Sequence, residues 1–169
     1  MSKLKILVVD DFPIFRVGLG ALLSKTADLE IIGEAENGQV AIEKARQLKP
    51  HLILMDLMMP VMGGTEAIRI IKKHQPEIKI IALTGENQLK QIQATLAAGA
   101  DGYVLKDDSN LTLLTAINSV KNDQIYLSPG ICNTVLSGTA DDFEHIRSAI
   151  SWCRLNNQEQ EEITHVVAD

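Results

Sequence analysis

Short apolar runs of strand length recur along the first two thirds of the chain. They are rich in β-branched or aliphatic residues and lie at Ile6–Val9, Glu30–Ile32, Leu52–Met55, Ile78–Leu83 and Tyr103–Leu105. Continuous apolar runs of this length are typical of parallel strands that are covered on both faces. The pattern therefore predicts five strands of one buried sheet.

Helix-length segments separate these runs. Their apolar residues recur at three- and four-residue spacing, as in Leu114 and Ile117, which predicts amphipathic helices. Lys49-Pro50 and Gln75-Pro76 are stop signals at the ends of two of these helices. Alternating strands and helices require right-handed crossovers, so the sequence predicts an α/β domain with a doubly wound parallel sheet over residues 1–125.

The texture of the chain changes after residue 125. Residues 126–154 resemble a linker, with Ser137-Gly138-Thr139 in the middle and one amphipathic helix predicted from Phe143, Ile146, Ile150 and Cys153. Residues 155–169 form a further segment, which is predicted to contain a helix.

The net charge excludes one broad class of partner. It is -6, and seven acidic against two basic residues between 140 and 169 carry most of it. No global basic field therefore draws the chain onto nucleic acid or an anionic membrane.

Cys132 and Cys153 have no metal-ligand spacing, so we expect two reduced thiols. The apolar run after the amino terminus is cut off at Asp10, which is too short for a signal peptide or a membrane span. We therefore expect a cytoplasmic protein without a membrane partner.

Five polar side chains follow predicted strands at the point where each strand ends. Asp10 and Asp11 follow the first strand, Asp56 the third, Thr84 the fourth and Lys106 the fifth. In an open parallel sheet the carboxyl ends of the strands form the functional crevice, so we expect these groups at one edge. Three clustered carboxylates repel one another unless a cation is bound, and Mg²⁺ prefers such oxygen ligands. The sequence therefore predicts a Mg²⁺ site beside a lysine, where a phosphoryl group can bind.

Each of these residues also has a purely structural explanation. Asp11 could cap a helix that starts at Phe12-Pro13, Thr84 could cap the following helix, and Lys106 could be a solvated surface charge. Their joint placement at the ends of successive strands favours the functional interpretation.

The motifs together resemble the receiver domain of bacterial response regulators. They are Asp10-Asp11, Asp56-Leu57-Met58-Met59-Pro60 with Gly63-Gly64, Leu83-Thr84, and Gly99-Ala100-Asp101-Gly102-Tyr103-Val104-Leu105-Lys106. The resemblance covers residues 1 to about 125, with every motif in order. It implies a flavodoxin-like (βα)5 receiver with a five-stranded parallel sheet in the order 2-1-3-4-5.

The resemblance also implies the chemistry of the acidic residues. Asp56 would accept a phosphoryl group from a phosphohistidine on a sensor histidine kinase, as part of a two-component phosphorelay. Asp11, Asp56 and the backbone carbonyl of Met58 would bind Mg²⁺ directly, and Asp10 would act mainly through water.

Three further residues would read the phosphoryl group. The resemblance implies that Lys106 pairs with one phosphoryl oxygen and that the Thr84 hydroxyl donates to another. Tyr103 occupies the position of the family's switch aromatic and would turn inward as Thr84 moves; a half-buried strand aromatic without that role is the alternative. We expect the altered surface to favour a homodimer, which Tyr103→Ala should weaken.

The end of the chain resembles receivers of the NarL/FixJ branch, whose output is a LuxR-type helix-turn-helix. Residues 155–169 resemble the first helix of that module, although Asn156-Asn157-Gln158 replaces the usual Thr-Pro-Arg. Fifteen residues cannot build a DNA-binding unit, so we expect no specific DNA binding by residues 1–169. A transcription factor truncated near the start of its output domain is favoured over a stand-alone receiver that signals through a native acidic tail.

Two other functions are disfavoured by particular residues. Phosphatases of the haloacid dehalogenase type need a second aspartate two residues after the nucleophile, and Met58 occupies that position. A constitutive binding scaffold has no need of all five polar side chains at the strand ends. We therefore expect no enzyme activity beyond the chain's own phosphorylation and dephosphorylation.

Overall fold

Six parallel strands form one sheet in the computed structural model, which describes residues 2–137 and 147–157. The strands are β1 (Leu4–Val9), β2 (Leu29–Ala35), β3 (Leu52–Asp56), β4 (Lys79–Thr84), β5 (Gly102–Leu105) and β6 (Tyr126–Leu127). Their order is β2-β1-β3-β4-β5-β6, and every neighbouring pair is parallel. The predicted doubly wound sheet is confirmed, and a sixth strand extends it.

Helices cover both faces of this sheet. They are α1 (Pro13–Leu23), α2 (Gly38–Leu48), α3 (Gly64–His74), α4 (Leu89–Ala97), α5 (Asn110–Lys121), α6 (Pro129–Ser137) and α7, the helical residues 147–157. Within these described segments, no helix combines the length and apolar character that crossing a membrane requires.

Two apolar cores separate the helices from the sheet. One lies under α1 and α5 and contains Leu19 and Ile117; the other lies under the remaining helices and contains Ile68 and Ile92. Because the side chains of a strand point alternately to the two faces of the sheet, the same strands contribute residues to both cores. This arrangement explains the continuous apolar runs and leaves the strand ends as the place for polar groups.

Local signals set several helix boundaries. The Asn37 side chain accepts a hydrogen bond from the Val40 amide at 3.0 Å, and the Ser109 hydroxyl accepts one from the Thr112 amide at 3.2 Å. Lys49 ends α2 in the left-handed conformation, at φ 46°. The ends of α2 and α3 agree with the predicted stop signals, since their C-cap residues are Lys49 and Gln75.

Part of the predicted linker is regular structure. In β6 the Tyr126 amide donates to the Asp101 carbonyl at 3.2 Å, and α6 begins at Pro129. A two-residue strand is too short to produce an apolar pattern, which is why the sequence did not indicate it. Of the residues used to predict a helix near the end of this segment, Ile150 and Cys153 lie in α7, whereas Phe143 and Ile146 lie outside the described residues.

The prediction that both cysteines are reduced thiols is wrong in this structure. Cys132 of α6 and Cys153 of α7 form a disulfide, with their Cα atoms 5.4 Å apart. Both cysteines are buried on the facing sides of the two helices. A sequence separation of 21 residues does not reveal that the helices pack together, so spacing alone could not predict the bond.

Residues 155–157 continue α7. Residues 158–169, the rest of the segment compared with an output module, lie outside the described residues. The assignment of 155–169 to a helix-turn-helix domain therefore stays a prediction.

Candidate functional site

Three carboxylates meet at the carboxyl ends of β1 and β3. One oxygen each from Asp10, Asp11 and Asp56 lies within 4.8 Å of the others. β1 and β3 are hydrogen-bonded neighbours in the sheet, which brings together residues that are 46 positions apart in the sequence. Asp10 and Asp56 are 1% and 3% exposed, so their charges have little water to screen them.

Lys106 supplies the opposing charge. Its Nζ lies 2.7 Å from Asp10 Oδ2 and 3.3 Å from Asp56 Oδ1, so one ammonium group bridges two carboxylates. The same Nζ lies 4.5 Å from the centre of the Phe15 ring, a cation–π contact. The interpretation of Lys106 as a solvated charge does not hold in this structure.

The pKa of the Asp56 carboxyl group is high for an aspartate. Burial, and next the charge of Asp10, raise the pKa of Asp56 from 3.8 to about 6, while Lys106 and the Met58 amide act in the opposite direction. The Met58 amide donates to Asp56 Oδ1 at 3.3 Å. At neutral pH the carboxylate is still mostly ionised, although its negative charge is poorly compensated.

The loop after Asp56 is tightly built. Gly64 lies so close to the strand end that a Cβ atom there would stand 2.0 Å from the Asp56 carbonyl oxygen. Its amide donates to the Leu57 carbonyl at 3.0 Å. Val61 has φ 69°, a conformation that is costly for a β-branched residue. The backbone beyond the buried carboxylate is therefore fixed by close contacts and includes one strained position.

Thr84 lies at the end of β4, between β3 and β5 in the sheet. It is buried, and its Oγ1 accepts a hydrogen bond from the Glu86 amide at 3.1 Å. A hydroxyl can accept and donate at once, so this bond leaves its hydrogen able to donate. The Lys106 amide donates to the Thr84 carbonyl at 2.8 Å, which fixes the two residues side by side. Thr84 does not cap α4, which begins at Leu89.

Asp11 shows that the cluster fits a metal ion. Its Oδ1 is buried and has no hydrogen-bond partner among the described residues. Such an atom is costly unless something binds it. Asp11 does not cap α1 either, because the N-cap residue of that helix is Phe12. An orphaned carboxylate oxygen beside two further carboxylates is the all-oxygen donor set that suits Mg²⁺.

Tyr103 is completely buried in β5, in the core that includes α4, α6 and α7. Burial raises the pKa of its hydroxyl, and the nearby Thr95 side chain opposes that shift. The Tyr103 oxygen has no hydrogen-bond partner in the part of the chain that the structure describes. The ring therefore already occupies the inward position that the resemblance assigns to the phosphorylated state.

Two residues of α1 belong to the site but were not singled out from the sequence. Phe15 lies under the Lys106 ammonium group, and Arg16 donates to the Asp10 carbonyl at 2.6 Å and pairs with Glu34 at 3.1 Å. Both face the strand ends because α1 begins at Pro13, directly after β1. Their positions depend on how α1 docks on the sheet, and no local pattern in the sequence carries that information.

Replacement of Lys106 by methionine should destabilise the metal-free protein by about 2 kcal/mol at pH 7, because Asp10 and Asp56 then lose their common charged partner. Urea unfolding in the presence of a chelator measures the change. Lys90→Met is the matched control, since Lys90 is an exposed lysine of α4. Equal stabilities of the two variants would contradict the bridging role of Lys106.

Comparison with known proteins gives a consistent family. The model of the response regulator receiver domain matches residues 6–118. The response regulator protein VraR of Staphylococcus aureus is 40% identical over 128 residues, which are 76% of this chain and 61% of VraR. The chain thus spans about three fifths of the length of the curated relatives it matches.

Solved structures agree. A two-component response regulator of the LuxR family from Aurantimonas sp. SI85-9A1 superposes with a TM-score of 0.76 and 30% identity, over 79% of this chain and 95% of that one. A DNA-binding response regulator of the LuxR family from Staphylococcus aureus gives 0.67 and 28%, over 70% and 98%. Because the family match spans more than half of the chain and the relatives agree with it, the protein belongs to the response regulator receiver family, and its relatives include LuxR-family regulators.

Proposed function

We propose that Asp56 accepts a phosphoryl group from the phosphohistidine of a sensor histidine kinase and so switches a protein surface. The observation that carries this proposal is the buried Asp56 carboxylate, held between two further carboxylates and a bridging lysine. A structural ion pair has no use for three carboxylates against one ammonium group. A site that receives an anionic group together with a divalent cation does.

Asp56 is the nucleophile in this proposal. The Met58 amide and Lys106 both contact Oδ1, so we assign the attack to Oδ2. A bond forms between Oδ2 and phosphorus as the phosphorus–nitrogen bond of the phosphohistidine breaks, and the imidazole nitrogen retains the electron pair. With a pKa of about 6, Asp56 is mostly in the nucleophilic carboxylate form at neutral pH.

The neighbouring residues position and neutralise the transferred group. Asp10, Asp11, Asp56 and the Met58 carbonyl would hold Mg²⁺, which neutralises charge on the phosphoryl oxygens when bound. Lys106, which bridges Asp10 and Asp56 here, moves its charge to a phosphoryl oxygen. The Thr84 hydroxyl donates its unused hydrogen to another oxygen.

The output we propose is control of transcription in the cytoplasm. The Staphylococcus aureus structure is described as a DNA-binding response regulator, and the curated relatives are longer than this chain. The DNA contact would therefore belong to an output domain, while residues 1–125 act as the receiver. Homodimerisation would accompany phosphorylation.

Acetyl phosphate with Mg²⁺ should add one phosphoryl group, about 80 Da, to the wild-type chain and none to Asp56→Asn. Intact-mass spectrometry measures the addition. Asp28→Asn is the matched control, because Asp28 is an exposed carboxylate at the amino ends of the strands, where it pairs with Lys121 at 3.4 Å. Undiminished labelling of Asp56→Asn would refute the assignment of the nucleophile.

A further inference from the structure

The carboxyl-terminal elements cover the part of the sheet that contains Tyr103. β6 pairs with β5 through Gly102 and Tyr103, and α6 packs on β5 and α4. We define the switch face as the apolar surface formed by Leu96 of α4, Tyr103 of β5 and Leu127 of β6, all of which lie in one core. This surface is buried by other parts of the same chain.

The occupant of the switch face is the helix pair α6–α7. Ile131 and Val135 of α6 and Ala149 of α7 are at most 2% exposed and belong to the same core as Tyr103. On the edge of the sheet, the Trp152 ring of α7 meets the Tyr126 ring of β6 edge to face, with the centroids 5.4 Å apart. These contacts seat α7 in one orientation.

A covalent bond fastens this pair. The described part of α7 has 11 residues, and a helix of that length is marginal without tertiary contacts. The Cys132–Cys153 disulfide keeps α7 beside α6 and makes its docking intramolecular over a short span. Both cysteines are almost completely buried in the core beneath the helices. The bond therefore ties together two helices that also pack on the switch face.

The setting of this disulfide suggests its use. Disulfides are rare in the cytoplasm, and those that occur there are mostly transient and redox-sensing. Resting on the proposed function of a cytoplasmic receiver, we propose that Cys132–Cys153 is a redox clamp: oxidised, it holds α7 over the switch face; reduced by a protein dithiol, it releases α7 and opens that face. In the oxidised protein the switch face is therefore covered by α6 and α7 of the same chain.

The opening step balances as thiol–disulfide exchange. A thiolate of the dithiol attacks one sulfur of the clamp, the S–S bond breaks, and the other cysteine leaves as a thiolate that takes up a proton. The second thiol of the reductant then displaces the first cysteine and becomes part of a new disulfide. Two electrons pass from the dithiol to the chain. Because both cysteines are buried, α7 must lift locally before attack, so reduction reports on its docking.

Docking and phosphorylation should influence each other. Tyr103 is inward while α7 is docked, and inward is the orientation expected of the phosphorylated receiver. In a packed core another ring position requires its neighbours to move, so docked helices favour the inward ring. Coupling is reciprocal, so a phosphoryl mimic at Asp56 should favour docking. Beryllofluoride with Mg²⁺ should then slow reduction of the disulfide about fivefold.

The chain contains its own probes for a test on residues 1–169. Trp152 is the single tryptophan, and Cys132 and Cys153 are the only cysteines. Purified protein should show no titratable thiol; dithiothreitol should expose two and should shift the Trp152 emission to longer wavelength as the ring leaves Tyr126. Cys153→Ser and Cys132→Ser should each show the shifted emission without reductant, and Trp152→Phe should lose the signal.

The outcomes separate cleanly. Two titratable thiols before any reductant is added, or a Trp152 emission that reduction leaves unchanged, would overturn the clamp. If the serine variants do not fold, the reduced wild type still decides the question. Labelling of Asp56 by acetyl phosphate, measured in parallel, tests the proposed function separately, because it does not depend on either cysteine.

Discussion

Alanine at position 64 should destabilise the protein by about 3 kcal/mol or more and abolish phosphoryl labelling of Asp56. The added Cβ would stand 2.0 Å from the Asp56 carbonyl oxygen and 2.9 Å from the Leu57 Cα. Both atoms are backbone, so no side chain can rotate away. The strand end must shift, and with it the carboxylate that depends on its position. Urea unfolding and intact-mass spectrometry measure the two effects.

Gly18→Ala is the control for this prediction. Gly18 lies inside α1, and apart from the neighbouring backbone of that helix, a Cβ there meets no atom of the described residues within 4 Å. Alanine is the better helix former, so this variant should gain about 0.5–1 kcal/mol. Opposite signs for the two glycine substitutions would show that contact, rather than backbone flexibility, fixes Gly64. A Gly64→Ala protein as stable as the wild type would contradict the close approach.

Removal of divalent cations should make the stability of the protein fall as the pH rises from about 4 to about 6. Burial and the Asp10 charge raise the pKa of Asp56 from 3.8 to about 6 in the folded, metal-free protein. A carboxyl whose folded pKa is raised holds its proton better in the folded state. The stabilisation that Asp56 contributes is therefore complete below the pKa of the unfolded chain and is lost as the pH rises through the pKa of the folded protein. The loss is at most about 3 kcal/mol.

Mg²⁺ should reverse this loss. A cation that binds the three carboxylates of the folded chain adds about 2.7 kcal/mol when its concentration is 100 times its Kd. The melting temperature at pH 7 should therefore rise with Mg²⁺, whereas Asp11→Ala should show little response because it lacks the orphaned oxygen. Melting curves between pH 4 and pH 7, with chelator or Mg²⁺, test both statements. A wild-type melting temperature that ignores Mg²⁺ would exclude the metal site.

The sheet and the acidic cluster could be predicted because each depends on a local pattern and one topological rule. Apolar runs such as Leu52–Met55 identify strands, and parallel strands place their carboxyl ends at one edge. Asp10 and Asp56 therefore had to lie at the same edge of the sheet, wherever the helices docked, and they approach each other because β1 and β3 are neighbours. The strand order came from the resemblance, since the apolar pattern does not specify which strands are neighbours.

The contacts that depend on helix docking could not be predicted. Phe15 reaches Lys106 only because of the rotation of α1 on the sheet, and Cys132 meets Cys153 only because α6 and α7 pack together. Lys106 contacts both Asp10 and Asp56 because its Nζ lies 2.7 Å from one carboxylate and 3.3 Å from the other. Such distances are set by tertiary packing, on which residue type and spacing carry little information.

The short strand β6 also protects the molecule against uncontrolled growth of its sheet. An open edge presents unpaired amides and carbonyls that can recruit strands of other molecules, and β5 would be such an edge. β6 pairs with β5 at Gly102 and Tyr103, and the Ser128 amide donates a hydrogen bond to the Tyr103 carbonyl at 3.0 Å. Pro129 then follows without an amide hydrogen, and α6 turns the chain out of the sheet. A fragment ending at residue 125 would lack this cover and would present β5 to its neighbours as a template for aggregation.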